Sequence, residues 1–315
     1  MIGVYVPAGD ARAQIEVIQQ AEKQGVPSFW LTTGGSAPDG PTLYAAAAMV
    51  TGHIKFGTSI TQTWPRHPVA LATQALALDS IAPGRFRFGL GASHQGPVES
   101  VYGVKYQKPL TNLREYLIVL KTLLTTGEVE YEGAFVRTRN KVPGAPIDVP
   151  VMASALRPAS FRLCGELADG AISWVSPWTY LRDIALPAMR EGAAAAGRSV
   201  PPLVAHVPVC LAPKEEAREL SGTMLARYAG MANYQGMFAA AGYDDIQGED
   251  RIAASDDVVA SGTEHDVIER LVQIMREGAG EIIAHPIYVG EDRGAYERHF
   301  FDVVAEANKE AGVGV

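Results

Sequence analysis

Cysteine is nearly absent from this 315-residue chain: Cys164 and Cys210 are the only two, far apart, each within an apolar run. That excludes a disulfide framework and points to two buried thiols in a reduced, cytoplasmic protein. Runs of like charge are missing too. The net charge is −8, and no basic cluster or basic–aromatic interleaving occurs. A nucleic-acid binder would show a basic patch or stripe, so no nucleic-acid partner is expected. No apolar stretch reaches the roughly 18 residues a membrane span needs. The N-terminal MIGVYVPAGDARAQ has no charged region leading into an apolar core, so no secretory signal is expected. Metal-ligand spacing is also lacking. The seven histidines show no HExxH motif, no cysteine partners, and no pair one residue apart near the first predicted strand, so no metal is expected.

What the sequence does have is a recurring unit, a short apolar run followed by a helical pattern. Strands are predicted near residues 2–6, 28–31, 54–61, 85–90, 149–153, 168–174, 203–211 and 281–285. The intervening helices carry spaced apolar faces, such as Leu113, Leu117, Leu120 and Leu124, or Val267, Leu271 and Ile274. Pro158 is placed to open one helix, and Thr263 with Asp266 to cap another. Eight strands with a helix after each predict a parallel α/β architecture closed as a (β/α)8 TIM barrel. An open doubly wound sheet would want a glycine-rich turn after the first strand, and Pro7-Ala8-Gly9-Asp10 is a poor one. The expected organisation is a single barrel domain over 1–315 with insertions near 91–148 and 213–260. A small hairpin is predicted at 129–136, broken at Gly133, and Gly34-Gly35-Ser36 reads as a loop.

In a barrel of this kind function sits at the strand C-termini. The fourth strand leads into Gly91-Ala92-Ser93-His94-Gln95. A dinucleotide fingerprint fails there because His94 stands where its third glycine belongs, and a GxSxG elbow fails at Gln95. Small side chains at Gly91, Ala92 and Ser93 suit either the close approach of a flat or phosphorylated ligand or a plain tight turn. The fifth strand ends in Ser154-Ala155-Leu156-Arg157-Pro158, where helix-start amides, a hydroxyl and a guanidinium suit an anion. An ordinary capped helix with a surface arginine is the other reading. His206 and His285 lie within apolar strands and read as satisfied core residues, whereas His94 follows a glycine-rich strand end and is the candidate for acid–base work. Trp64, Trp174 and Trp178 line either the mouth or the core.

These stretches, with Arg66-His67-Pro68, Gln74-Ala75-Leu76-Ala77-Leu78-Asp79, Phe88-Gly89-Leu90-Gly91, Arg114-Glu115-Tyr116-Leu117, Gly165-Glu166-Leu167-Ala168-Asp169-Gly170 and Ser261-Gly262-Thr263, resemble the luciferase-like monooxygenase family. The likeness is strongest to its branch of oxidoreductases that use the deazaflavin coenzyme F420. It implies a cofactor across the C-terminal mouth, a hydride passed between its C5 and a small organic substrate, and a homodimer. It also implies a non-proline cis peptide at Ser59–Ile60, in a bulge formed by Thr58, Ser59 and Ile60 behind the cofactor ring. The phosphate-side contacts of the family fall on Gly91, Ala92, Ser93, Ser154, Ala155, Leu156 and Arg157. An FMN-dependent monooxygenase of the same fold is the alternative, and a cofactor-free binding protein or hydrolase the second. Two departures stand out. The sugar-phosphate dehydrogenases of the branch carry Asp-His where this chain has Thr32-Thr33, and glutamate where it has His94. Sugar phosphates are therefore not the expected substrate, and His94 or a bound water is left to handle the proton. Arg157 and Arg66 are the expected positive patch for a polyanionic cofactor.

Overall fold

A computed structural model describes every residue except 8, 36, 314 and 315. Ala8 of the Pro7–Asp10 turn and Ser36 of the predicted loop therefore lie outside the described residues. The eight barrel strands are, in chain order, Ile2–Tyr5, Ser28–Thr33, Lys55–Gln62, Phe86–Gly91, Val151–Ser154, Ala171–Ile172, Leu203–Cys210 and Glu281–Pro286. Each pairs in parallel with the next, and the eighth returns to the first, closing the barrel. A two-residue strand, Ala260–Ser261, adds to the outer edge of the seventh. The (β/α)8 expectation is met.

Alternation along the strands produces two separate apolar layers. Ile2, Val4, Phe29, Leu31, Phe56, Phe86 and Phe88 face outward and join the large core under the helices. Trp30, Met152, Ile172, Val204 and Ile283 face inward and fill the middle of the barrel. Gly57 makes room for the indole: a Cβ there would lie 2.3 Å from the Trp30 ring. Below this layer, at the N-terminal ends of the strands, the barrel floor is charged. The Arg87 guanidinium lies 4.5 Å from the Trp30 ring centroid and forms a two-pronged ion pair with Glu281, both side chains buried. Ser28 Oγ donates to Glu281 Oε1 at 3.0 Å and accepts from Trp30 Nε1 at 3.2 Å, so strands two, four and eight are tied together from inside.

The helix signals are realised locally. Asp10 caps the helix Ala11–Lys23, Thr263 and Asp266 form a reciprocal capping box on Glu264–Arg276, and Pro158 opens Pro158–Leu167. Three segments differ from expectation. The stretch after the fourth strand contains a helix, Gln95–Tyr102, before the long helix Pro109–Thr126. The sixth strand is only Ala171–Ile172, because Val175 takes a left-handed φ of +44° and turns the chain. The hairpin is displaced and longer, Glu128–Glu132 against Arg137–Lys141. Its outer rungs are cross-strand charge pairs, Glu132–Arg137, Glu130–Arg139 and Glu128–Lys141, which an apolar periodicity does not register. Its turn is fastened by the buried Glu115 carboxylate, which accepts from the amides of Ala134, Phe135 and Val136 at 2.8–2.9 Å.

The floor generates a stability prediction. Glu281→Gln leaves the Arg87 charge buried without its counterion, so urea unfolding is expected to show a loss of about 3–5 kcal/mol. A paired replacement, Glu281→Leu with Arg87→Met, is expected to recover most of that loss. An unchanged midpoint for Glu281→Gln contradicts a desolvated pair.

Candidate active site at the barrel mouth

The mouth is shaped by a register mismatch. Gly57 pairs with Arg87 and Thr61 with Leu90, so three residues, Thr58, Ser59 and Ile60, span two on the fourth strand. The Thr58 hydroxyl bridges the gap, accepting from Gly89 N at 3.0 Å and donating to Gly89 O at 2.9 Å. Gly89 has to be glycine here, since a Cβ would come within 2.1 Å of the Thr58 carbonyl oxygen. The Ser59–Ile60 peptide is cis, as expected. Thr58 is fully buried, while Ser59 and Ile60 are half-buried at the opening. Across from them, a Cβ on Gly91 would lie 2.5 Å from Ser154 Oγ and 2.9 Å from Ile60 Cδ1. Ile60, Gly91 and Ser154 thus converge on one cradle whose shape depends on the missing side chain at 91.

The loops above it are tied down by backbone contacts. Trp64 Nε1 donates to Ala92 O at 2.9 Å, and Ser93, at φ +59°, accepts from the Tyr106 hydroxyl at its carbonyl. The amides expected to be free at the start of Pro158–Leu167 are partly engaged. Leu156 N and Arg157 N both donate to Ser160 Oγ, and Ala155 N donates to Ile172 O. The expected positive patch is also reduced by half. Arg66 is ion-paired with Asp39 at 2.5 Å, whereas the exposed Arg157 has no carboxylate partner among the described residues and reaches the Asn233 carbonyl at 3.4 Å. Of the tryptophans, Trp30 fills the barrel, Trp178 is buried beside Glu277, Trp64 packs on Tyr106 and Phe135, and Trp174 alone stands in the mouth with His206 and His285.

His206 is buried and His285 half-buried, yet neither ring is fully satisfied. Their Nδ1 atoms have no hydrogen-bond partner. The His206 Nε2 lies 3.1 Å from Ser59 Oγ, linking the seventh strand to the bulge. Trp174 stacks on His285 at 5.2 Å and meets His206 edge-on at 4.5 Å, and Tyr5 contacts both imidazoles. Thr32 Oγ1 donates to the Ser59 carbonyl at 3.0 Å. Burial pushes the His285 pKa down to about 4, and burial with the neighbouring His285 holds His206 well below the ordinary histidine value. Both rings are neutral at pH 7. Strand alternation carries the signal for them: Glu281, Ile283 and His285 share one face, as do Val204 and His206. His94 lies across the mouth, with Tyr228 and Tyr234 of the helices Lys214–Ala229 and Ala232–Ala240 at 6.3 and 6.0 Å. Burial and the nearby Arg227 lower its pKa, so it too is neutral.

Comparison with known proteins places this geometry in context. The luciferase-like monooxygenase family profile matches residues 3–281. A 5,10-methylenetetrahydromethanopterin reductase from Methanolobus tindarius is 28% identical over 196 residues, 62% of this chain and 59% of that protein. The chain thus spans about three-fifths of that curated relative. Among solved structures, an F420-dependent secondary alcohol dehydrogenase bound to an F420–acetone adduct superposes with a TM-score of 0.81 at 16% identity, covering 99% of this chain and 98% of that one. The FMN-bound oxygenating constituent of 3,6-diketocamphane monooxygenase from Pseudomonas putida gives 0.74 at 19%, covering 100% and 99%. No helix among the described residues is long and apolar enough to cross a membrane.

The neutral imidazoles predict a pH-dependent stability. The unfolded His285 binds a proton near pH 6.5 and the folded one only near pH 4, so in that window the unfolded chain carries the extra proton. Stability is therefore lost as pH falls from 6.5 to 4, by on the order of 3 kcal/mol for this group. Denaturant unfolding at stepped pH is expected to show a shallower slope in His285→Gln. An identical slope in that variant refutes the assignment.

Proposed function

Because this chain belongs to the luciferase-like monooxygenase family, we propose that it is an oxidoreductase that works with the deazaflavin coenzyme F420 on a small organic substrate. The observation that carries this reading is the cradle of Ile60, Gly91 and Ser154. Ser154 Oγ and Ile60 can close on each other there only because position 91 lacks a side chain, and the cradle lies beside a bulge that offers a flat ring a rigid backing. When bound, the deazaflavin supplies a ring carbon, C5, that gives or takes a hydride.

The chain's own residues have distinct tasks in this reading. Ser59 and Ile60 back the ring, with Thr58 holding the bulge in register from behind. Gly91, Ala92 and Ser93, with Ser154, Ala155, Leu156 and Arg157, hold the phosphate side, where Arg157 brings a positive charge not already paired. His94 makes no capping bond to the helix it precedes and is neutral, so its imidazole is free to exchange a proton with substrate at the rim. Thr32-Thr33 in place of Asp-His, and His94 in place of glutamate, weigh against sugar phosphates as substrates. The reductase named above supports an oxidoreductase, and the fold likeness to an F420-dependent alcohol dehydrogenase supports the F420 reading. The fold likeness to an FMN enzyme supports the second reading, a flavin-dependent monooxygenase in the same cradle.

Spectral titration of the purified protein with F420 and with FMN discriminates the two. The expectation is at least tenfold tighter binding of F420 and turnover that does not require oxygen. Tighter FMN binding with oxygen-dependent turnover overturns the proposal. Gly91→Ala is expected to weaken cofactor binding about tenfold, or ~1.4 kcal/mol, because the new methyl must displace Ser154 or Ile60. His94→Ala is expected to slow turnover by about 10²-fold or more while leaving cofactor affinity nearly unchanged. Turnover equal to the parent removes His94 from acid–base duty.

A further inference from the structure

The helix Ala232–Ala240 touches both of the loops that the mouth offers a ligand. On one side its buried Tyr234 ring stands 6.0 Å from the His94 ring, after the fourth strand. On the other, Arg157 of the loop after the fifth strand reaches across to it and donates from Nη1 to the Asn233 carbonyl at 3.4 Å. Gly236, in the middle of this helix, lies against the same guanidinium. A Cβ there would stand 2.0 Å from Arg157 Nη1, 3.0 Å from Cζ and 3.2 Å from Nη2, so all three of its nearest neighbours belong to Arg157. The guanidinium is seated on bare helix backbone.

Glycine weakens the middle of a helix, because it has more backbone freedom to lose than alanine and brings no side chain to pack. At 236 the space an alanine methyl would take is filled by a side chain from another loop. That contact restricts an arginine whose rotamers are otherwise many, and a donor already held in place gives up less freedom when a ligand arrives. Only Nη1 is engaged. The Nε and Nη2 groups make no hydrogen bond to a described residue, so the guanidinium fork keeps donors for a phosphate. Its charge is left over as well. Arg157 has no carboxylate partner among the described residues, and neither Pro158–Leu167 nor Ala232–Ala240 carries an acidic residue in its first turn.

We propose that the helix Ala232–Ala240 completes the phosphate subsite at the mouth, with Gly236 and Asn233 as positioning residues that seat Arg157 for the phosphate group. The proposal rests on the reading of the loops after strands four and five as the cofactor's phosphate side, and concerns what this helix adds to them. It has a reciprocal consequence. A seat that tightens phosphate binding by some factor is itself tightened by bound phosphate by the same factor. The helix and the anion are thus coupled through one side chain.

The test compares Gly236→Ala with Gly222→Ala on the full chain. Gly222 lies in the preceding helix, Lys214–Ala229, where a Cβ meets nothing within 4 Å, so it reports what an added methyl does to a helix alone. Two ligands are followed by spectral titration, F420 and the deazaflavin alcohol that has the same ring and no phosphate. Gly236→Ala is expected to weaken F420 binding about tenfold and the alcohol less than about twofold, while Gly222→Ala changes neither. In an Arg157→Ala background, Gly236→Ala is expected to have no further effect. Hydrogen exchange supplies a readout free of any ring ligand. Pyrophosphate is expected to slow the amides of residues 232–240 severalfold in the parent, and to do so in neither Gly236→Ala nor Arg157→Ala. Equal losses for F420 and the alcohol, the same loss in Gly222→Ala, an undiminished Gly236→Ala effect without Arg157, or no pyrophosphate response in the parent overturns the proposal. Failure of F420 to bind, with the pyrophosphate response intact and dependent on Gly236, sinks the cofactor reading alone. F420 binding that Gly236→Ala leaves unchanged sinks this subsite alone.

Discussion

The mouth of this barrel depends on one side chain–backbone contact, the Thr58 hydroxyl bonded to both the N–H and the C=O of Gly89. Three residues of the third strand face two of the fourth, so the ladder by itself leaves buried peptide groups without partners. An unpaired buried peptide group costs about 1–3 kcal/mol. The threonine removes that penalty for Gly89, and the extra residue is pushed toward the opening. Ser59 then reaches His206 on the far side of the barrel, and Ile60 comes opposite Gly91. A regular ladder would alternate Ser59 and Ile60 to opposite faces, and both could not then line the opening.

The interior changes character from floor to mouth. Arg87 and Glu281 at the floor are both charged and neutralise each other in a geometry completed by Ser28 and Trp30. The middle layer is apolar. The mouth holds imidazoles, phenols and an indole, all of which hydrogen-bond without carrying charge at pH 7. This ordering follows from desolvation. A charge is tolerable in the barrel where its partner is built in, and intolerable where the partner would have to arrive with a ligand of the right sign. Neutral histidine is the residue that keeps the mouth polar under that constraint.

The sequence made the barrel readable because each strand is short, apolar and followed by a helix with its own stop signals. The eight strand positions follow from that pattern alone, and the loops after strands four and five stand out in the sequence as candidate ligand loops by their small residues. The resemblance to a family also located the Ser59–Ile60 bulge. His206 and His285 were not legible as site residues. An inward-facing histidine near a strand end and a core histidine look alike in one dimension, and only the closed barrel puts the two rings 6.0 Å apart. The ion pair of Arg66 is hidden for the same reason: its partner Asp39 is 27 residues earlier, and no local spacing announces the pair. The hairpin register was hidden because charge pairs, and not apolar alternation, hold its strands together.

Net charge and local charge pull in opposite directions at this site. The chain carries −8 overall, which opposes a polyanionic cofactor at long range. At physiological ionic strength, however, exposed charges are screened over about 8 Å, so the far side of the barrel contributes little at the mouth. Near the mouth, Arg157 has no carboxylate partner among the described residues, and the exposed Arg227 stands beside Tyr228. Arg66, neutralised by Asp39, does not add to them. Unpaired positive charge thus stands at the rim, while Ser59, Trp174 and the two imidazoles are uncharged.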